Sequence, residues 1–468
     1  MFLAQVVSFL GDDVLETSII LYLAVAAAGG QSWGPAAVAG ALVARMAPVL
    51  MFGLLGGVYT DRWDCRRTML VMDAVRSVLI GGLALLLLVG TSLPIGVQLT
   101  GIYAVLTLCA LASVFYNPAR YSVLAAVVAD ADRERMGSIT AGMIALASIL
   151  GPGLAASMLV LASVQWALLF VAAGFLISFL AVSRVRMPLC TPTPAAEGLT
   201  TGMWQELVTG LRFFASKQVL RVMLVVTSIT VATVSTVNTL GVFFVTQNLH
   251  SPPQTYGLLG TAYGIGSLIG AALSVVFAGR FRAVRVYVYS FAAAGLLLIG
   301  YSRMTTPEGA IILLFLTGFP IAAVNAMMGP MLMRAAPSQF LGRVTSVLLL
   351  TTRLAALVSV SVAAWLATTV LGGLNAHVAG IHFGTIDTIF LAVGLIIAMT
   401  GLWAARSLRT ETDADGPTAS GAAGQGDDLP VPPRQRGGTR RARRRPLVLR
   451  GPHRRRLRRR SRSETPTP

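Results

Sequence analysis

Twelve apolar stretches divide this chain, each long enough to cross the hydrocarbon core of a bilayer, about 30 Å thick. They cover residues 2–27, 36–59, 68–90, 97–117, 138–161, 165–184, 220–246, 255–278, 284–302, 309–333, 344–370 and 386–405. Lipid offers no partner to backbone N–H and C=O groups, so a spanning segment must be a helix or a strand of a closed barrel. Barrel strands are about ten residues long and alternate in polarity, whereas these segments are longer and uniformly apolar. The expectation is an all-α membrane protein with twelve transmembrane helices in two six-helix bundles. Only 12% of the residues are charged, against roughly 25% in soluble domains, too few to clothe a water-facing surface. No basic leader precedes the first segment and no cleavage site follows it, so that segment is expected to be retained.

Loop charge supplies an orientation. The loops after segments one, three, five, seven and eleven hold no Lys or Arg, and the loop after segment nine holds only Arg303. The intervening loops are basic, from Arg62, Arg66 and Arg67 to Arg334 and Arg343. Such asymmetry predicts a multi-pass cell-membrane protein with both termini in the cytoplasm. The longest break opens with Pro188, Pro192 and Pro194, then sets Trp204, Leu207, Val208, Leu211 and Phe214 at helical spacing, as in a helix lying on the membrane surface. The predicted organisation is an N-terminal bundle over 1–185, a cytoplasmic linker over 186–218, a C-terminal bundle over 219–408 and a tail over 409–468. Met136-Gly137-Ser138-Ile139-Thr140 before segment five echoes Leu341-Gly342-Arg343-Val344-Thr345 before segment eleven, as parallel repeats would.

The formal net charge of +18 is concentrated in the Arg-rich stretch 434–462. Residues 410–433 are acidic and rich in Gly, Ala and Pro, a composition expected to be disordered. Without an aromatic residue to stack on bases, the Arg-rich stretch reads as a solvated tail, or as a frame artefact of a GC-rich gene, rather than a nucleic-acid or lipid contact. Lys217 is the only lysine and Gln218 follows it. A P-loop needs Gly-Lys-Ser/Thr, so none is present and a primary pump is disfavoured. Cys65, Cys109 and Cys190 have neither disulfide nor metal-ligand spacing, and His250, His377 and His382 fall at extracytoplasmic ends without partners. No Ser/Lys dyad, His-Glu-x-x-His or paired-Asp motif is evident. No enzyme, metal or cofactor is expected.

Several residues remain as candidates for chemistry. Gly57-Val58-Tyr59-Thr60-Asp61-Arg62-Trp63-Asp64-Cys65-Arg66-Arg67 lies between segments two and three. Gly57 permits close helix approach, and Asp61 can accept charge-assisted bonds from Arg62, Arg66 or Arg67. Asp73 and Arg76, at i and i+3, share a face of segment three and form a candidate structural ion pair. Gly151-Pro152-Gly153 predicts a kink in segment five. Asp12, Asp13 and Glu16 sit in the middle of segment one, and Arg45 in the middle of its neighbour. Carboxylates inside lipid are functional suspects. Asp12 and Glu16, one turn apart, share a face, with Asp13 about 100° away. The expected proton carrier is Asp12, with Glu16 on the same face second and Asp13 third. Asn238, Asn325 and Arg353 are substrate candidates in the second half, where Arg353 can attract an anionic or zwitterionic group. Met327, Met328, Met331 and Met333 suit adaptable packing, and Gly260-x-x-x-Gly264 and Gly266-x-x-x-Gly270 are helix-packing motifs.

The loop from Gly57 to Arg67 resembles motif A of the major facilitator superfamily, departing from it at Cys65. Gly151-Pro152-Gly153 resembles that superfamily's motif C, with Ala155 and Ala156 where glycines are usual. Asp73-x-x-Arg76 and the Asn117-Pro118-Ala119-Arg120 segment closing helix four are similar to its drug, macrolide and siderophore exporters. Over residues 1 to about 408 the resemblance implies a secondary transporter working by alternating access, with a cytoplasmic gate at Gly57, Asp61, Arg62, Arg66 and Arg67. The activity it implies is proton-coupled efflux of a drug or secondary metabolite. A monomer with a small-molecule substrate, protons and lipid as partners, and no nucleic acid, is expected. A nutrient importer and a transport-inactive sensor are the alternatives.

Overall fold

The computed structural model describes residues 2–27, 31–60, 63–89, 93–127, 133–161, 163–184, 217–277, 283–335, 341–378 and 381–414. The chain forms twelve long helices there. They are α1 (Phe2–Tyr22), α2 (Gly34–Thr60), α3 (Cys65–Val89), α4 (Ile95–Val127), α5 (Arg133–Leu161) and α6 (Val164–Arg184), then α7 (Gln218–Gln247), α8 (Thr255–Phe277), α9 (Ala283–Ser302), α10 (Pro307–Ala335), α11 (Leu341–Trp365) and α12 (Thr385–Ala414). A π-helical turn continues α1 over Leu23–Ala27 and another continues α11 over Leu366–Val370. Eleven of the twelve are long and apolar enough to cross a membrane. The other, α1, has the length but carries Asp12, Asp13 and Glu16.

Local chemistry sets several of the helix starts. Asp64 caps α3, its Oδ1 accepting the backbone N–H groups of Arg66 and Arg67 at 2.9 and 3.1 Å. Pro307 opens α10, where its missing N–H costs nothing.

The packing is a repeat. In the first half α1 lies against α5 and α6, α4 against α2 and α3, and α3 against α6. In the second half α7 lies against α11 and α12, α10 against α8 and α9, and α9 against α12. Adding six to each helix of the first set gives the second. The halves meet mainly through α5 with α8 and α2 with α11, two contacts that the same renumbering exchanges.

Small residues allow the closest approaches. On α8, Gly260 faces the Pro152 ring and Gly264 faces Ile149, both of α5. Gly266 and Gly270, on the other side of the same helix, lie against the backbone of Phe315 and Phe319 of α10. The two glycine motifs of α8 therefore have separate duties, one between halves and one within a half. Polar side chains add rungs elsewhere. Ser77 donates to the Ala172 carbonyl at 2.9 Å between α3 and α6, and Ser359 to the Ala232 carbonyl at 2.7 Å between α11 and α7.

Four expectations need correction or fall elsewhere. The fourth helix does not close at Asn117-Pro118-Ala119-Arg120 but runs through it to Val127, with Arg120 buried. A proline removes one hydrogen bond without ending a helix that neighbours hold in place. Thr410–Ala414, expected to be disordered, continue α12, since extending an existing helix needs no new nucleation. The extracytoplasmic loop expected between the last two helices contains a hairpin, β1 (Asn375–Val378) paired antiparallel with β2 (Ile381–Gly384), His377 opposite His382. The proposed surface helix at 204–214 and the Arg-rich tail lie outside the described residues.

A β-branched side chain at Gly266 would strike the Phe315 backbone. Gly266→Val is expected to destabilise the folded protein by about 1–3 kcal/mol. Gly82→Val, at a position with nothing within 4 Å, should shift stability by less than about 0.5 kcal/mol. Thermal unfolding in detergent compares the two.

Candidate functional site: a cavity between the two halves

A cavity of about 280 Å³ lies between α1 and α5 on one side and α7, α8, α9 and α10 on the other. Its charged lining residues are Asp13 and Glu16, one turn apart on α1. Facing them are Asn238 of α7 and the tyrosines Tyr256 and Tyr263 of α8 and Tyr301 of α9. Leu259, Leu298, Leu314 and Ile321 supply apolar wall. The site thus combines aromatic and aliphatic surface with acidic charge at one end.

Arg45 balances part of that charge. Its Nη1 pairs with Glu16 Oε2 at 2.5 Å and donates to the Asp12 backbone carbonyl at 3.3 Å. Asp13 is in no ion pair within 4 Å among the described residues. Its neighbour is backbone: a Cβ on Gly151 of α5 would lie 2.6 Å from the Asp13 Cβ. Gly151 is the residue that lets α5 pass Asp13 closely enough for both helices to line the cavity. Next to it, Pro152 and Ala156 meet Gly257 of α8, and Gly153 meets Thr261. One short stretch of α5 therefore touches the carboxylate helix and the opposite half together.

The ranking within α1 is changed by this geometry. Asp13 and Glu16 line the cavity, and Asp12, expected first, does not. Asn238 also lines it, while Asn325 and Arg353 are exposed and do not. Met327 and Met331 are buried in the core, and Met328 Sδ accepts the Thr227 hydroxyl at 3.7 Å, so these three serve packing. Tyr256, Tyr263 and Tyr301 were not foreseen. No local pattern in the sequence marks them, and only the fold brings all three to the cavity.

The expected ion pair of Asp73 with Arg76 is not formed. Ser178 of α6 donates to Asp73 Oδ2 at 2.7 Å, and the Arg76 guanidinium lies over the rings of Tyr116 at 4.7 Å and Phe175 at 5.2 Å. Two aromatic faces have taken the place of the carboxylate. At the expected gate, Gly57 lies in the last turns of α2, and Asp61 and Arg62 are outside the described residues. Arg66 Nη2 reaches the Ser183 carbonyl at 2.5 Å and pins α3 to α6, while Arg67 is exposed. Cys65 is buried in the first turn of α3 rather than in a loop.

The contact of α5 with α8 occupies the half of each helix farther from the Arg-rich loops. In the other half of α5 a Cβ at Gly142 would meet nothing within 4 Å, and the same holds at Gly53 of α2. The halves are therefore in contact on the side of the cavity farther from the Arg-rich loops.

A multi-pass helical protein made of two similarly packed halves around a central cavity has the architecture of a membrane transporter. The sequence model of the Major Facilitator Superfamily matches residues 1–245 and 223–459, and the chain belongs to that superfamily. It is 26% identical over 409 residues to the multidrug efflux pump Tap of Mycobacterium tuberculosis and to that of Mycobacterium bovis, covering 81% of this chain and 88% of each relative. Its fold is similar to that of the nucleoside transporter NupG, with a TM-score of 0.65 and 12% identity over 86% of this chain and 98% of that one. It is also similar to a bacterial homologue of the lysosomal transporter Spinster in an inward-facing, unoccupied conformation, with a TM-score of 0.63 and 12% identity over 87% of this chain and 96% of that one.

Replacing Arg45 by Met leaves Glu16 without its counter-charge. We expect Arg45→Met to cost about 1–3 kcal/mol, between the values for exposed and fully buried pairs. Adding Glu16→Gln should recover most of that loss. A double-mutant cycle read by thermal unfolding measures the coupling.

Proposed function

We propose that the chain is a proton-coupled exporter of small amphiphilic cations working by alternating access, with Asp13 as the residue for which proton and substrate compete. The observation that carries this reading is the lining of the cavity, where the charges are Asp13 and Glu16 and tyrosine rings stand opposite. An organic cation gains a counter-charge at Asp13 and cation–π contact with the rings. Glu16 is already occupied by Arg45, which leaves Asp13 as the carboxylate available to a ligand. Arg353 lies off the cavity, so nothing in the lining favours an anion. The curated relative is a multidrug efflux pump, in keeping with a pocket of broad apolar and aromatic character.

With the basic loops and both termini in the cytoplasm, the contact of α5 with α8 is extracytoplasmic, and the cycle begins with the cavity reached from the cytoplasm. A cation from the cytoplasm displaces the proton on Asp13, the halves rock about the cavity, and the contact of α5 with α8 parts. A proton from the outer side then displaces the cation. Proton and cation occupy Asp13 in turn, so return of the empty carboxylate is disfavoured and the two fluxes are coupled. A monomer suffices, because both halves of the cavity come from one chain.

The test is ethidium efflux from a pump-deficient bacterium expressing the protein. Wild type should lower cell-associated ethidium, and a protonophore should abolish the effect. Asp13→Asn removes a charge-assisted contact of about 1.5–3 kcal/mol and should weaken ethidium binding roughly 10- to 100-fold. It should also end uphill efflux. Efflux indifferent to the protonophore would contradict proton coupling, and uphill pumping by Asp13→Asn would remove Asp13 from the mechanism. Uptake of a neutral nutrient with no ethidium efflux would favour the importer.

A further inference from the structure

The cavity between the halves has a direction. Asp13 lies midway along α1, whereas Tyr256 is the second residue of α8 and Tyr301 the last but one of α9. Those two tyrosines therefore stand at the end of the cavity farther from the Arg-rich loops. Tyr301 completes a stripe of α9 that begins with Ala294 and Leu298, at i, i+4 and i+7, all three on the cavity wall. A molecule with one end at Asp13 has its other end near these tyrosines.

The two tyrosines at that end are not equivalent. The Tyr256 ring lies against Gly241, where a Cβ would come within 2.8 Å of it, and its hydroxyl donates to the Asn238 carbonyl at 3.3 Å. Its polar atom is already used. Tyr301 has only 1% of its surface exposed, and its ring packs on Phe244 at 4.8 Å and Phe390 at 5.8 Å. It has no ring face to offer a ligand. Its hydroxyl has no hydrogen-bond partner among the described residues. Buried polar groups are normally satisfied, and an exception needs an explanation. Phenylalanine would fill the same space in this ring cluster without leaving a polar atom to satisfy. An unpaired hydroxyl, fixed by two neighbouring rings on a cavity wall, finds its partner in what the cavity holds.

We propose that Tyr301 is a specificity-determining residue, its hydroxyl binding a neutral hydrogen-bonding group at the end of the substrate remote from the cationic centre. The inference rests on the cation reading above and narrows its substrate class. The preferred cation carries a second polar group, such as an aromatic amine, an amide or a hydroxyl, and is not a cation clothed in hydrocarbon alone. A phenol both donates and accepts, so it serves either kind of partner. Charge and hydrogen bond together fix one orientation, with the cationic centre at Asp13 and the neutral polar end away from the Arg-rich loops. A cavity of about 280 Å³ lets one small molecule reach both. A cation lacking the second group leaves the Tyr301 hydroxyl unpaired, and that is how the site discriminates. Ring contact is left to Tyr256 and Tyr263, and the apolar wall tolerates variation in the rest of the molecule.

The experiment is a double-mutant cycle across protein and ligand. The probes are ethidium and its deaminated analogue, the same phenanthridinium cation without the two aromatic amines. Each is titrated calorimetrically into the purified protein in detergent. Tyr301→Phe keeps the ring and removes only the hydroxyl. It should weaken ethidium binding about 2- to 12-fold, the loss of one neutral hydrogen bond, and leave the deaminated cation within about twofold of its wild-type affinity. Asp13→Asn should weaken both cations alike. If Tyr301→Phe weakens both cations equally, the residue only packs. If it weakens neither, the hydroxyl serves only cavity water. Either result would overturn the specificity role and leave the cation reading standing. No effect of Asp13→Asn on either cation, or no binding of either by wild type, would overturn the cation reading and this inference with it. If Tyr301→Phe does not fold, the wild-type affinities decide, and equal values for the two cations overturn the proposal.

Discussion

Three carboxylates on a helix that must lie in lipid form the constraint around which this molecule is organised. Each would cost about 3 kcal/mol or more at the centre of a lone membrane helix. Here α1 does not face the lipid alone. It is packed against α5 and α6, and Arg45 reaches from α2 to pair with Glu16. Neutralising Glu16 leaves Asp13 as the charge directed at the cavity. In the proposed mechanism, that carboxylate is the one that exchanges a proton for a cation.

The close fit of α5 follows from the same arrangement. Gly151 allows that helix to pass Asp13, and the next residues meet the small-residue face of α8. A single stretch of α5 thereby touches both the carboxylate helix and the opposite half, as the proposed coupling requires. The division of α8 into one face for α5 and another for α10 lets the inter-half contact part while the second half stays whole. Contacts within a half are backbone-close and reinforced by hydroxyl-to-carbonyl bonds, as between Ser359 and Ala232. Between halves, Gly257 and Gly264 of α8 also come close to the Pro152 and Ile149 backbone, but no hydroxyl-to-carbonyl bond reinforces that contact among the described residues. A structure stitched in this way bends between its halves rather than within them.

Much of the fold was legible in the sequence because lipid imposes a simple rule, about twenty apolar residues per crossing. Helix ends were less legible. Pro118 looked like a terminator, and only the tertiary setting of Ala119 and Arg120 shows that α4 runs on. Asp12, Asp13 and Glu16 stood out because charges in apolar segments are conspicuous. Their order of importance did not, since a helical wheel gives relative angles but not which face meets the other half. The three cavity tyrosines come from two helices distant in sequence from α1, and no local pattern marks them. Asp73 and Arg76 were correctly placed on one face, yet their partners, Ser178, Tyr116 and Phe175, belong to α4 and α6 and divert them from each other.

The claim on which the account turns is that a proton and an organic cation compete for one carboxylate. The most direct measurement is the equilibrium affinity of the purified protein for ethidium as a function of pH. By linkage, a cation that displaces one proton binds more tightly as pH rises, approaching a tenfold gain per pH unit while the carboxyl is protonated, and levelling off once it is not. Asp13→Asn should abolish that slope. A wild-type affinity independent of pH, or a slope that survives in Asp13→Asn, would contradict the account.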